Sequence, residues 1–191
     1  MKSTLIPLIM FLALLAAAQA RADDDAGFYV QAGIGHVSLN HGTLTLTPSF
    51  GGSVDGTGTA WSVTGGYSVN QYFALEAGYH DYGKPTSFLQ TGATAQTCPQ
   101  NFACPHFTGY TLEAVGRYEF VPGVFFEPLA GAMLWQGSNP SKALLGKDSG
   151  SEFIFGLRVR HPLNDNWSVG VAYEHSGFTT EETRLELRYN F

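Results

Sequence analysis

Glu174, His175 and Ser176 stand in a row, with Glu181 and Glu182 a few residues downstream. A serine hydroxyl becomes a nucleophile when an imidazole within hydrogen-bond reach takes its proton and a carboxylate orients that imidazole. His175, Ser176 and Glu182 have the composition for such a site. Neighbouring residues on a regular strand point to opposite faces, so the hydroxyl and the imidazole meet only if a bulge or turn bends the chain there. A rim histidine beside a turn serine is the plainer expectation. The other histidines (His36, His41, His80, His106 and His161) are scattered, and no pair has zinc spacing on one element. His80 beside Asp81 has the chemistry to hold a metal or a lipid phosphate, but a solvated pair near a strand end is expected instead. No glycine-rich phosphate loop joins a strand to a helix. Neither a metal nor a cofactor is therefore expected. Cys98 and Cys104 share one polar stretch. In an oxidising compartment such a close pair forms a local disulfide, and without C-x-x-C spacing a metal or redox role is the weaker reading.

The first residues set the compartment. Lys2 gives a positive start, residues 5–18 are an apolar run, and Ala18-Gln19-Ala20 and Ala20-Arg21-Ala22 are small-residue cleavage sites. Cleavage after Ala22 is expected, with 1–22 a signal peptide and 23–191 one domain. The run is short for a spanning helix, which needs about 20 apolar residues. Only 14% of the 191 residues are charged, whereas a soluble domain carries roughly a quarter. The strands to be placed therefore face little water or face another solvent. A formal charge of −6 removes nucleic acid from the expected partners.

Beyond Ala22 the hydrophobic period is two. Thr183, Leu185, Leu187, Tyr189 and Phe191 share one face, and Glu182, Arg184, Glu186, Arg188 and Asn190 the other. Trp167, Val169, Val171 and Tyr173 oppose Ser168, Gly170, Ala172 and Glu174; Phe153, Phe155, Leu157 and Val159 oppose Glu152, Ile154, Gly156, Arg158 and Arg160. Similar alternation runs from Tyr110 to Glu119, Phe73 to His80 and Phe28 to Gly35. Stretches 60–67 and 125–135 are less regular, the second holding Pro128. Eight strands result. Their connectors alternate between tight turns (68–72, 121–124, 162–166) and long polar stretches (38–59, 84–107, 136–150), with a shorter connector at 176–180. An up-and-down meander places all the long ones at one end, as in outer-membrane barrels with short periplasmic turns.

Three features decide which face points inward. All five arginines beyond the leader (Arg117, Arg158, Arg160, Arg184 and Arg188) lie on the polar face, and the lysines Lys84, Lys142 and Lys147 lie in connectors. Arginine mixed with glutamate suits a confined hydrogen-bonded network. Glycines (Gly33, Gly35, Gly78, Gly156 and Gly170) collect on that same face, where a narrow lumen needs room for long side chains. Trp61, Tyr67, Tyr110, Tyr118, Trp167, Tyr173 and Tyr189 sit near strand ends on the apolar face, as membrane-interface rings do. The fold expected is all-β: an eight-stranded antiparallel up-and-down transmembrane β-barrel, closed because hydrocarbon tolerates no open sheet edge. Glu76, Glu113, Glu119, Glu152, Glu174, Glu182 and Glu186 are expected inside, paired with the five arginines.

Gly27 to Gly35, then Gly65-Gly66-Tyr67, then Phe73 to Tyr79, resemble the OmpA-like outer-membrane barrel family. The ending with Leu185, Leu187, Tyr189 and Phe191 is similar to the signal by which barrel-assembly machinery recognises such chains. The resemblance covers the chain beyond the leader and implies both termini in the periplasm. It also implies location in the cell outer membrane with lipid and lipopolysaccharide as neighbours. Two-domain members carry a peptidoglycan-binding domain after the barrel; none follows Phe191, so no cell-wall tether is expected. The place of His175 and Ser176 before the last strand is similar to the lipid A deacylase barrels, where a histidine and a serine two apart act with an acid, but here the two are adjacent. The function expected is a structural and surface-interaction role, with external loops presented to an extracellular ligand. A deacylase-like enzyme and a narrow small-solute channel are the alternatives.

Overall fold

The computed structural model describes residues 26–40, 44–46, 50–53, 55–83, 87–90, 96–97, 106–138, 149–176 and 180–191. The expected signal peptide, Cys98 and Cys104 lie outside these residues. Among the described residues the wall consists of β1 (Gly27–Asn40), β4 (Asp55–Asn70), β5 (Phe73–Gly83), β8 (Phe107–Gly116) continued by β9 (Tyr118–Val121), β10 (Val124–Gly137), β11 (Ser149–Pro162), β12 (Trp167–Ser176) and β13 (Thr180–Asn190). Between them lie the short strands β2 (Leu44–Leu46), β3 (Phe50–Ser53), β6 (Ser87–Gln90) and β7 (Gln96–Thr97).

Every wall strand pairs antiparallel with its sequence neighbour, and β1 pairs with β13 from Tyr29↔Asn190 to Leu39↔Thr180. That last ladder closes the sheet into a barrel of eight strands, β8 and β9 counting as one interrupted at Arg117. Closure removes both edges, so the backbone donors and acceptors of the wall need no partner from lipid.

The tight turns cluster at the end where the wall begins and finishes. Asn70 Oδ1 accepts from the Tyr72 amide at 2.8 Å, and Asn164 Oδ1 from the amides of Asn166 and Trp167 at 3.0 and 2.9 Å. Such side-chain-to-backbone bonds are why asparagine marks turns. Gly123 takes a φ of +77° between β9 and β10, a conformation open to glycine. At this same end the Phe191 amide donates to Phe28 O at 3.0 Å, tying the terminus to β1. The long connectors leave from the opposite end. There β2-β3-β6-β7 form a second sheet, and the β3–β6 pairs Gly52↔Gln90 and Ser53↔Leu89 join the first long connector to the second.

The wall is inverted relative to a soluble barrel. Leu112, Leu134, Phe153, Val171 and Leu185 face outward and are exposed, while Glu76, Glu127, Arg158, Arg184, Glu186 and Arg188 face inward and are at most 2% exposed. Water as the outer solvent would make that arrangement unfavourable twice over; hydrocarbon makes it the only workable one. Leu112 sits mid-strand opposite Ala77 and Ala132. Leu112→Arg is expected to cost about 2–4 kcal/mol in urea unfolding from phospholipid vesicles, and an unchanged unfolding midpoint would place that face away from lipid.

Candidate functional site: the ionic lumen

The inward rows of eight strands converge on a space just wide enough for side chains. In the half nearer the tight turns, Glu127 of β10 is the hub. It accepts from Arg117 Nε at 3.1 Å and Arg160 Nε at 3.2 Å, and from Nη atoms of Arg158 and Arg188 at 3.3 Å. Glu76 of β5 takes a two-pronged contact from Arg158 at 2.9 and 3.1 Å, a third donor from Arg188 at 3.1 Å, and the Tyr29 hydroxyl at 2.6 Å. The Arg188 guanidinium also lies 4.0 Å above the Tyr29 ring. Gln31 accepts from Arg160 and Arg188 at 2.6 and 3.2 Å.

Glu186 joins the two halves. Its Oε2 lies 2.7 Å from Arg158 Nε and 3.0 Å from Arg160 Nη2, and its Oε1 accepts from Arg184 Nε at 2.8 Å. Arg184 then donates to Glu174 through both Nη atoms and to Glu182 at 3.0 Å. His80 is fully buried, with Nδ1 3.4 Å from both Glu182 Oε2 and Arg184 Nη1, and Nε2 3.4 Å from Thr111 Oγ1. Small residues make the space: a Cβ on Gly33 would stand 2.8 Å from Ser62 Oγ and 2.9 Å from Arg184 Cδ, and one on Gly66 would run into the Tyr29 ring.

The donor atoms of His80, Glu174 and Glu182 lie within 4.8 Å of one another, the one such group among the described residues. That is the spacing of a cation site, and a cation already fills it. Arg184 Nη1 reaches all three, at 3.4, 2.8 and 3.0 Å. A metal ion there would have to displace a buried guanidinium, so the donor set does not fit one.

Two apolar clusters pack against the network. Val37, Ala60, Tyr82, Met133, Trp135 and Ile154 pack together towards the long connectors, with Phe107 against them and the Tyr82 hydroxyl 3.0 Å from Met133 Sδ. Tyr29, Ala74, Val115 and Leu129 form the second cluster, and Glu127 and the partly exposed Arg117 stand on its tight-turn side. Charges buried this deeply are tolerated only beside partners in the protein.

The structure places the sequence-expected residues unevenly. Arg117, Arg158, Arg160, Arg184, Arg188, Glu76 and Glu186 meet in one network, whereas Glu113 is buried in the lumen and makes no ion pair among the described residues. Glu119 and Glu152, expected inside, are not part of it. Glu119 is exposed and caps the Gly123 amide at 2.8 Å, and Glu152 is half-buried near the long connectors. The break at Arg117 takes β9 out of the lumen rhythm. Glu127 was not among the expected inward acids: Phe125, Phe126 and Pro128 around it obscure the alternation, and its signal was an isolated carboxylate in an otherwise apolar strand.

His175, Ser176 and Glu182 do not form a catalytic group. The ladders of β12 continue unbroken to Ser176, so no bulge turns either side chain. His175 faces outward against the Phe155 ring, with Nδ1 4.0 Å from Glu181 Oε1, while Ser176 and Glu182 are buried inward and Glu182 is bound to Arg184. His80 and Asp81 likewise part: His80 enters the lumen, and Asp81 bonds His106 Nε2 outside at 2.7 Å. Leu185 and Leu187 lie on the lipid-facing side of β13, and Tyr189 packs edge-on between Trp167 and Phe191.

A closed wall with lipid-facing apolar residues and a dry ionic filling defines an integral outer-membrane barrel protein. The chain belongs to the outer membrane protein beta-barrel domain family, whose model matches residues 8–191. It resides in the bacterial outer membrane, among lipid and lipopolysaccharide. Its fold is similar to Neisserial surface protein A (TM-score 0.58, 17% identity, 88% of this chain and 100% of that one) and to OprG of Pseudomonas aeruginosa (0.59, 13%, 87% and 97%). It is also similar to Ail, the attachment invasion locus protein of Yersinia pestis (0.52, 13%, 87% and 99%). No curated protein matches it in sequence.

Truncating the hub would strand several guanidiniums at once. Glu127→Ala is expected to destabilise the barrel by about 3–5 kcal/mol, the usual cost of breaking a buried pair from one side. Heat-modifiable gel migration at graded temperatures reads this loss, and wild-type behaviour would show that Glu127 is not the hub.

Proposed function

We propose that this protein is a sealed, non-enzymatic barrel that contributes to envelope integrity and presents a loop platform to an extracellular ligand. The observation that carries this reading is the second sheet, in which β3 and β6 bind the first and second long connectors together through backbone pairs. Paired connectors present a more defined surface than separate loops, and loops on a rigid scaffold are where recognition residues collect. The lumen supports the sealed half of the proposal. Arginine–glutamate pairs fill its middle and its tight-turn half, and apolar side chains fill the end towards the long connectors, so the geometry favours neither a hydrolase nor a channel.

The route to the membrane is part of the same reading. Residues 1–22 act as a cleaved export signal, and the outward residues Leu185, Leu187, Tyr189 and Phe191 are read by the barrel-assembly machinery. Cys98 and Cys104 join once the chain leaves the cytoplasm, pinning the second long connector. Mass spectrometry of protein extracted from outer membranes is expected to give a chain beginning at Asp23, with those two cysteines resistant to alkylation until reduced. A retained leader or a readily alkylated pair would refute the corresponding step.

Replacing residues 41–54 by a short turn separates platform from barrel. The variant is expected to keep heat-modifiable migration, while cells bearing it lose attachment to host-cell monolayers shown by cells bearing the whole chain. Equal attachment by both would overturn the platform. Planar bilayers containing the whole chain are expected to show no discrete openings, and stable openings would overturn the seal.

A further inference from the structure

The charges of the lumen are sorted along its axis. On the tight-turn side the guanidiniums of Arg117, Arg158, Arg160 and Arg188 contact three carboxylates, those of Glu76, Glu127 and Glu186, and Glu186 is shared with Arg184. On the loop side Arg184 alone serves Glu174 and Glu182. A surplus of positive charge therefore stands towards the tight turns.

Unused donors stand there too. Arg117 and Arg160 hold the two oxygens of Glu127 through Nε, at 3.1 and 3.2 Å. Arg117 Nη1 also donates to Ser68 Oγ at 3.3 Å, and Arg160 Nη2 to Gln31 and Glu186 at 2.6 and 3.0 Å. Arg117 Nη2 and Arg160 Nη1 remain, both buried and without a hydrogen-bond partner, as is Ser168 Oγ. All three belong to the tight-turn ends of wall strands. Arg117 directly follows β8, Arg160 stands two residues before the end of β11, and Ser168 lies at the start of β12 opposite Pro162 and Arg188. Arg160 and Ser168 are each 4% exposed, whereas the Arg117 side chain, at 17%, reaches water.

A buried donor without an acceptor is unfavourable, and each one asks for a missing partner. Water would satisfy the donors and leave the surplus charge; an anion answers both. Guanidinium forks match the oxygen spacing of phosphate-like anions, and a serine hydroxyl supplies a further donor.

We propose that the tight-turn mouth of the lumen binds one small oxyanion of the phosphate class, held by Arg117 Nη2, Arg160 Nη1 and Ser168 Oγ. The two guanidiniums share one carboxylate, so their unused Nη atoms stand within reach of a single ion. Glu127 repels it little, being itself shared among four guanidiniums. Arg117 is the side chain the ion meets first. Because the donors occupy inward positions, the ion is a dissolved one and not a headgroup of the surrounding lipid. An ion that binds only the folded barrel stabilises it increasingly as its concentration rises.

The test is calorimetric titration of inorganic phosphate into the whole barrel in a phosphate-free detergent, with wild type, Ser168→Ala and Arg117→Gln compared at matched ionic strength in chloride. Wild type is expected to bind one phosphate per barrel, and the temperature of its heat-modifiable gel transition to rise with phosphate. Ser168→Ala is expected to weaken binding roughly tenfold, and Arg117→Gln to weaken it further. Ser168→Ala removes a hydroxyl without a partner and breaks no ion pair, so it remains informative if Arg117→Gln fails to fold. Doping the micelles with phosphatidylglycerol is expected to leave the wild-type constant unchanged. Saturable binding of one phosphate, weakened in Ser168→Ala, supports the site. No saturable binding, which would leave water on these donors, several phosphates per barrel, or equal affinity in wild type and Ser168→Ala would each overturn it. Loss of binding in the doped micelles would assign the donors to headgroup phosphates and overturn the dissolved ion.

Discussion

Hydrocarbon offers no hydrogen bonds, and the rest of this structure follows from that. A sheet in such a solvent must end where it began, which is why the ladder from Tyr29↔Asn190 to Leu39↔Thr180 matters more than any other. Closing eight strands leaves a bore that side chains fill. The interior is therefore dry as well, and an inward charge is tolerated only beside its opposite. Glu127, shared among four arginines of three other wall strands or strand breaks, is what this demand looks like locally.

An apolar filling would serve packing equally well, and buried ion pairs are weak stabilisers compared with apolar replacements. Register and export both give a physical reason for charges. A one-residue slip of any strand turns every inward side chain outward. For β13 that would push Arg184 and Arg188 into lipid, a far larger penalty than exposing leucine to a lumen. The charges thus discriminate between registers more strongly than they stabilise the correct one. They also keep each strand from reading as a membrane helix during export. Mean hydropathy of the whole chain is −0.03, although half the wall residues face acyl chains.

Much of the wall was legible in the sequence because alternation is a local signal. Leu185, Leu187 and Tyr189 against Arg184, Glu186 and Arg188 need no partner strand to be read. The arginines were legible for a related reason: all lay on one face. Glu127 was not, because its neighbours Phe126 and Pro128 belong to the lipid side while Phe125 and Leu129 break the polar rhythm around it. The apolar layer of Val37, Tyr82, Trp135 and Ile154 was hidden likewise, being greasy residues on the polar face. Pairing of β3 with β6 joins residues tens of positions apart in glycine- and threonine-rich stretches, where no periodicity exists to read. The His175–Ser176 geometry followed from adjacency on a strand, and β12 kept that strand regular to its end.

The division of labour along the barrel axis has a physical origin. Beneath the apolar layer of Val37, Tyr82, Met133, Trp135 and Ile154, the paired charges cannot rearrange without leaving one unpaired, so the transmembrane section has little freedom to move. Rigidity there is what permits long connectors elsewhere, because loop length adds little entropic cost once both ends are anchored on fixed strands. Variation that would ruin the lumen is tolerated in the connectors beyond that layer. A specific extracellular role therefore has to be written in residues that contribute nothing to closure, and it can change while Glu127, Arg158 and Glu186 stay as they are.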